Sequence, residues 1–150
     1  MSDPIAHTTA TYDRIARQFD EQFSDPPPPF AAFRDRFASA LPAGATVADL
    51  GCGPGRESAW FAGRGLTTVG VDLSIEMARL AAGRGVPAVL GDLRRPPLSP
   101  ASLDGIWSAA ALVHVPSEQT EPTLRAWHES NVTHRTWFSV LATARSSPLP

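Results

Sequence analysis

The stretch VADLGCGPGRES, Val47 to Ser58, runs from an apolar segment through an aspartate into three glycines within five positions. Glycines that follow a strand commonly bring backbone N–H groups to a phosphate. Here Gly51, Gly53 and Gly55 are spaced G-x-G-x-G rather than G-x-G-x-x-G. Pro54 removes one backbone donor from the loop, since proline has no N–H. A carboxylate at Asp49 would repel a phosphate and suit a ligand that carries an ammonium group. Bare backbone at Gly51 and Gly53 would let such a ligand lie close.

Outward from this stretch, short apolar strands alternate with helical segments. Strands are expected at Thr46–Leu50, Thr67–Val71, Pro87–Leu90 and around Gly105–Ala109. A helix from Arg56 to Arg64 ends at Gly63 and Gly65, and Ser74 can cap another that carries Ile75, Met77, Ala78 and Leu80. Such alternation implies right-handed crossovers and an α/β fold: a doubly wound, mostly parallel sheet of about five strands with helices on both faces. Ligands of such sheets bind beyond the carboxyl ends of the strands, where strand order reverses. Asp49, Asp72 and Asp92 fall at three successive strand ends. Capping or solvation explains any one of them, whereas the three together read as one binding edge. Asp72 sits where an acid can accept both hydroxyls of a ribose. The residues thus point to a nucleoside bearing a cationic amino acid.

Ahead of the sheet, Tyr12, Ile15, Ala16, Phe19 and Phe23 form one apolar stripe, and Phe30, Phe33, Phe37 and Leu41 a second. Asp25 and Pro26 to Pro29 separate them by an extended link, with Pro29 suited to a first helical turn. Core packing is the first reading of both stripes; the functional one makes the first helix a lid.

The chain of 150 residues fits one domain, and 43% hydrophobic with 19% charged residues reads as globular. A net charge of −2 without a basic block argues against nucleic acid as a partner. No apolar run is long enough to span a bilayer and MSDPIAHTT lacks a secretory pattern, so a cytoplasmic setting without membrane association is expected. The single Cys52 excludes an intramolecular disulfide and speaks against a zinc site, so no metal is expected. All 13 basic residues are arginine, which excludes Schiff-base chemistry and a P-loop lysine.

VADLGCGPGRES, VGVDLS, LGDLRRPPL and LDGIWSAAALVHVP together resemble the successive motifs of class I S-adenosylmethionine-dependent methyltransferases, and YDRIARQFD resembles the N-terminal helix of their small-molecule branch. The resemblance covers roughly Tyr12 to Pro116. It implies S-adenosyl-L-methionine as cofactor and a small-molecule methyl acceptor. Asp49, with the Gly51 and Gly53 backbone, would hold the methionine portion. Asp72 would take the ribose, and Leu73 would pack on the adenine. Asp92 would accept from the adenine amino group, and the Leu93 amide would meet a ring nitrogen. Backbone near Ser108 and Ala109 would reach the methionine end, with Tyr12 closing over it. Arg56 matches the family's loop, although pairing with an acid is as good a reading.

Methyl transfer needs alignment more than a large catalytic set. His114 is a candidate base, its plainer reading being a histidine packed where a helix begins. Cys52 reads as packing, and Trp60, Trp107, Trp127 and Trp137 as core or interface. The domain is expected to divide into a helical lid (1–43), a cofactor-binding core (44–116) and an atypical part (117–150). Residues 106–150 contain no glycine, so the family's glycine turn after the fourth strand is missing and its closing hairpin is expected to be absent, whether the C-terminus is native, truncated or frame-altered. WFSVLATA is the candidate fifth strand, whose edge would invite self-association. Two alternatives stand beside methyl transfer: a catalytically inactive methyltransferase-like binding module, and a nicotinamide-dependent oxidoreductase, which explains Asp72 but not Asp49 or the glycine spacing.

Overall fold

A computed structural model describes residues 3–23, 26–99, 101–130 and 132–141, with Ser130 and the last ten described by backbone alone. Two helices, α1 (Pro4–Gln22) and α2 (Pro28–Ala40), precede β1 (Thr46–Leu50), α3 (Arg56–Gly63), β2 (Thr67–Asp72), α4 (Ile75–Gly83) and β3 (Ala88–Leu90). Then follow β4 (Leu103–Ala109), a 3-10 turn at Leu112–His114, α5 (Ser117–Ser130) and β5 (Val132–Leu141). The strands form one sheet in the order β3-β2-β1-β4-β5, and every neighbouring pair is parallel. The chain therefore winds outward from β1 to β3, returns to β4 beside β1, and winds the other way. This is the doubly wound sheet the alternation called for, reversing between β1 and β4.

Alternation along the strands sorts the core into two layers. Ala48, Leu50, Val71 and Ile106 join Leu112, Val115 and Trp127 on one face. Val47 and Trp107 join Phe37, Phe61 and Leu66 on the other. Trp107, Trp127 and Phe61 are wholly buried, so cutting any of them back to alanine would cost about 3–5 kcal/mol. Local signals agree with these layers. The Ser74 hydroxyl accepts the Met77 N–H at 3.2 Å and caps α4. Gly55 begins α3 with φ of 80°, and a Cβ there would meet Ala81 backbone at 2.8 Å. Pro28 opens α2 after an extended Pro27, while the break expected at Asp25 lies outside the described residues.

Some expectations shift. Phe23 is 49% and Phe33 46% exposed, because α1 and α2 pack across the sheet's end and face with only part of each stripe. Pro122 lies inside α5, which begins at Ser117; Thr123 and Trp127, both buried, hold the helix against the sheet despite the lost donor. β5 begins at Val132, five residues before Trp137, and its pairing with β4 shifts register between Leu103 and Gly105. Such an irregularity carries no fixed sequence signal.

Candidate functional site

Beyond the carboxyl ends of β1, β2, β3 and β4 lies a cavity of about 210 Å³, roofed by α1 from Ile5 to Phe19. Gly51 and Gly53 border it from the loop after β1, and both have positive φ, 74° and 53°. A Cβ at Gly51 would run into the Ala111 side chain. At Gly53 it would meet nothing within 4 Å, so the backbone there fronts open space. Ala110, after β4, also lines the cavity and holds φ of 55°, a conformation that costs a non-glycine residue energy and tends to persist at functional sites.

Asp72 ends β2 and faces this space. Its carboxylate accepts the Gly53 N–H at 2.8 Å and the Ser74 N–H at 2.9 Å. Burial pushes its pKa up, against the backbone amides of Ser74, Gly53 and Leu73 that hold it down. The acid thereby ties the glycine loop to the start of α4. Leu73 beside it is 37% exposed on the cavity wall. Asp92 and Leu93 line the neighbouring part. Burial pushes Asp92 up, but the Arg94 side chain and backbone outweigh it and hold the carboxyl below its usual value. Arg94 Nε lies 3.0 and 2.9 Å from its two oxygens. The Leu93 carbonyl accepts the Trp127 indole N–H at 2.6 Å, which pins this wall to α5.

The roof is fastened at three points along α1. The Tyr12 hydroxyl is hydrogen-bonded to His114 Nε2 at 2.8 Å, across the cavity. Burial lowers the pKa of His114 against an opposing pull from Asp72; burial first, and then Asp72, raises that of Tyr12. Both are therefore uncharged near neutrality. Asp13 accepts the Ser74 hydroxyl at 2.5 Å and the Glu76 N–H at 3.2 Å. Asp20 is gripped by Arg56 Nε at 2.9 Å and by Arg84 Nη2 at 2.8 and 2.9 Å. Arg84 also donates to the Pro54 carbonyl, inside the glycine loop, at 3.0 Å.

Of the residues singled out in the sequence, Tyr12, Gly51, Gly53, Asp72, Leu73, Asp92, Leu93 and His114 meet at this cavity. Asp49 and Ser108 do not border it. Asp49 is 2% exposed and lies beneath the loop, accepting the Ser58 hydroxyl at 2.7 Å. Strand alternation puts its side chain on the Val47 face, under α3, and burial above all raises its pKa to about 7. Ser108 is 1% exposed and donates to the Leu50 carbonyl at 2.9 Å; Ala109 to Ala111 take the wall position instead. Arg56 adopts the pairing role. Cys52 is buried against Gly70, and burial pushes its thiol far up, which suits packing and not nucleophilic attack. Trp60 lies between the Arg34 and Arg64 guanidinium groups, 4.0 and 4.2 Å from its ring. Sequence reasoning missed Asp13, Asp20 and Arg84. For the two acids the signal is their spacing along α1, which acquires meaning only once α4, with Arg84 at its end, is known to lie beside it.

Residues 47–131 match the model of a family described as a methyltransferase domain. Over 127 residues the chain is 34% identical to malonyl-[acyl-carrier protein] O-methyltransferase of Herminiimonas arsenicoxydans, covering 83% of this chain and 45% of that protein. Over 72 residues it is 44% identical to trans-aconitate 2-methyltransferase of Mycobacterium tuberculosis, covering 47% and 27%. The chain thus spans about half the length of the curated relatives it matches, or less. Among solved structures, the complex of the Haloferax volcanii Trm112 methyltransferase activator with a methyltransferase aligns with a TM-score of 0.70 at 23% identity, covering 86% of this chain and 58% of that one. An S-adenosyl-L-methionine-dependent methyltransferase structure from Methanococcus maripaludis aligns at 0.68 and 19%, covering 85% and 63%. These likenesses concern the fold.

Proposed function

Because the chain belongs to the methyltransferase-domain family, we propose that it transfers a methyl group from S-adenosyl-L-methionine to a small-molecule acceptor. The observation that carries this reading is Asp72: a carboxylate pinned by backbone amides at the cavity wall, one strand from the reversal point, with bare glycine backbone beside it. Each of its oxygens keeps a further lone pair for a ribose hydroxyl. Leu73 offers the adenine an apolar surface. Asp92 and the Leu93 amide are placed to meet the adenine edge, Asp92 in company with Arg94. The residues fit the cofactor with one revision of role: Asp49 supports the loop from below, and Gly51, Gly53 and the backbone after β4 meet the methionine end.

When bound, the cofactor supplies an electrophilic methyl on a positive sulfur, displaced in line by the acceptor. The chain contributes by holding that geometry and excluding water under α1. Tyr12 closes over the cavity through its bond to His114. Since His114 Nε2 is engaged by Tyr12, it serves as a base only for an acceptor that takes Tyr12's place. The division into lid (1–43), core (44–116) and C-terminal part (117–150) belongs to the same proposal, as does a cytoplasmic setting without nucleic-acid partners. Among the described residues no helix is long and apolar enough to cross a membrane.

Calorimetric titration with S-adenosylmethionine, S-adenosylhomocysteine and NAD tests the reading. Binding of both sulfur compounds and none of NAD is expected. Tight NAD binding without response to either sulfur compound would sink it.

A further inference from the structure

The mechanism above leaves Asp13 unused, an acid on the roof helix whose carboxylate turns away from the cavity to the start of α4. Asp13 Oδ1 accepts the Ser74 hydroxyl and the Glu76 N–H. Ser74 is 1% exposed, and its own N–H is one of the donors that fix the Asp72 carboxylate. The same hydroxyl caps α4 at Met77. A continuous set of bonds therefore runs from the roof to the ribose acid: Asp13 to Ser74, Ser74 to Asp72, Asp72 to Gly53. The short segment Asp72–Leu73–Ser74 carries two of the groups assigned to the nucleoside, Asp72 and Leu73, and its far end is held by a residue that belongs to the lid.

From this juxtaposition of Asp13, Ser74 and Asp72, we propose that Asp13 is a positioning residue that couples docking of α1 to the nucleoside half of the site. It touches no ligand. Through Ser74 it sets the β2–α4 turn in the geometry in which Asp72 meets a ribose, so that the lid and the ribose acid engage together. The proposal rests on the nucleoside reading of Asp72. A cap for α4 alone does not need the lid, because Ser74 already provides one. Burial above all pushes Asp72 up, and the negative charge of Asp13 adds a smaller push in the same direction.

The test uses the whole chain, with S-adenosylhomocysteine and 5′-methylthioadenosine, which lacks the amino-acid end, as calorimetric probes. Asp13→Ala is expected to weaken both probes by roughly tenfold, as loss of a charge-assisted anchor does. Asp13→Asn, whose amide oxygen can accept both bonds, is expected to stay within about threefold of the unaltered chain. In an Asp72→Ala background, Asp13→Ala is expected to add little, the mark of two residues acting through one device. If Asp13→Ala does not fold, Asp13→Ser takes its place in the same cycle. Unchanged affinity in a folded variant, a loss confined to S-adenosylhomocysteine, or full additivity with Asp72→Ala would overturn the proposal while leaving the methyltransferase reading intact. Failure of the unaltered chain to bind either probe would overturn both.

Discussion

Asp49 is an acid sealed inside the sheet, its carboxylate held by Ser58, whose hydroxyl donates to it at 2.7 Å, and its charge is a cost the fold carries. Its pKa stands near 7 against an ordinary 3.8, burial being the main cause. Between those values the folded chain keeps a proton that the unfolded chain releases. The contribution to stability is therefore fully present below about pH 4 and is lost as pH rises through 7. Asp49→Asn keeps an acceptor for Ser58 and removes the charge. Thermal unfolding should show the variant more stable at pH 8 by on the order of 1–3 kcal/mol, after allowing for the new amide donor. The gain should shrink at pH 5. A difference that does not vary with pH, or a variant weaker at both, would refute this account. The sequence placed Asp49 at a strand end but not its surroundings. A strand's alternation shows which residues share a face, whereas the choice between cavity and α3 depends on Ser58, nine residues on.

Helix α1 shows how an element can be legible as a helix and illegible as a device. Its apolar stripe and its place over the site are written in YDRIARQFD, yet the fastening acids Asp13 and Asp20 lie among ordinary surface charges in sequence terms. Asp20 gathers Arg56 and Arg84, and Arg84 carries the link on to the Pro54 carbonyl, so the C-terminal end of the roof is fixed to the cofactor loop itself. Removing the acid leaves two partly buried guanidinium groups facing each other. Asp20→Ala should then cost about 2 kcal/mol and lower Tm by roughly 4–8 °C for a chain of this size. Hydrogen exchange should quicken along Pro4–Gln22 more than in β1 or β4, because only the roof loses its anchor. Equal quickening throughout would point to global destabilisation and against a local fastening. The strands fared better in the sequence because burial on both sides leaves a continuous apolar signature: Thr46–Leu50 matches its observed bounds. β5 fared worst, since its first residues, VTHRT, carry no apolar run, and its start is set by pairing with Leu103.

For the whole molecule, the sheet order has a consequence at its rim. β5 spans ten residues and, among the described strands, pairs only with β4, so one side of its ladder is left without a strand partner there. Edge strands are normally protected by charge, proline, a bulge or a cover. The segment Trp137–Leu141 carries no charge, proline or glycine. β3, at the opposite rim, is only three residues long and so offers little to pair with. We therefore expect these 150 residues to self-associate through the β5 edge. Sedimentation over a wide concentration range should show the average mass rising with concentration. Ser139→Lys, which places charge on the strand, should shift the rise to higher concentration while leaving S-adenosylhomocysteine binding unchanged, because the cavity lies at the ends of β1 to β4 and not at this rim. A monomer at every concentration, with β5 amides protected from exchange, would show that the edge is covered within the chain. Loss of association together with loss of ligand binding in Ser139→Lys would show instead that β5 supports the site.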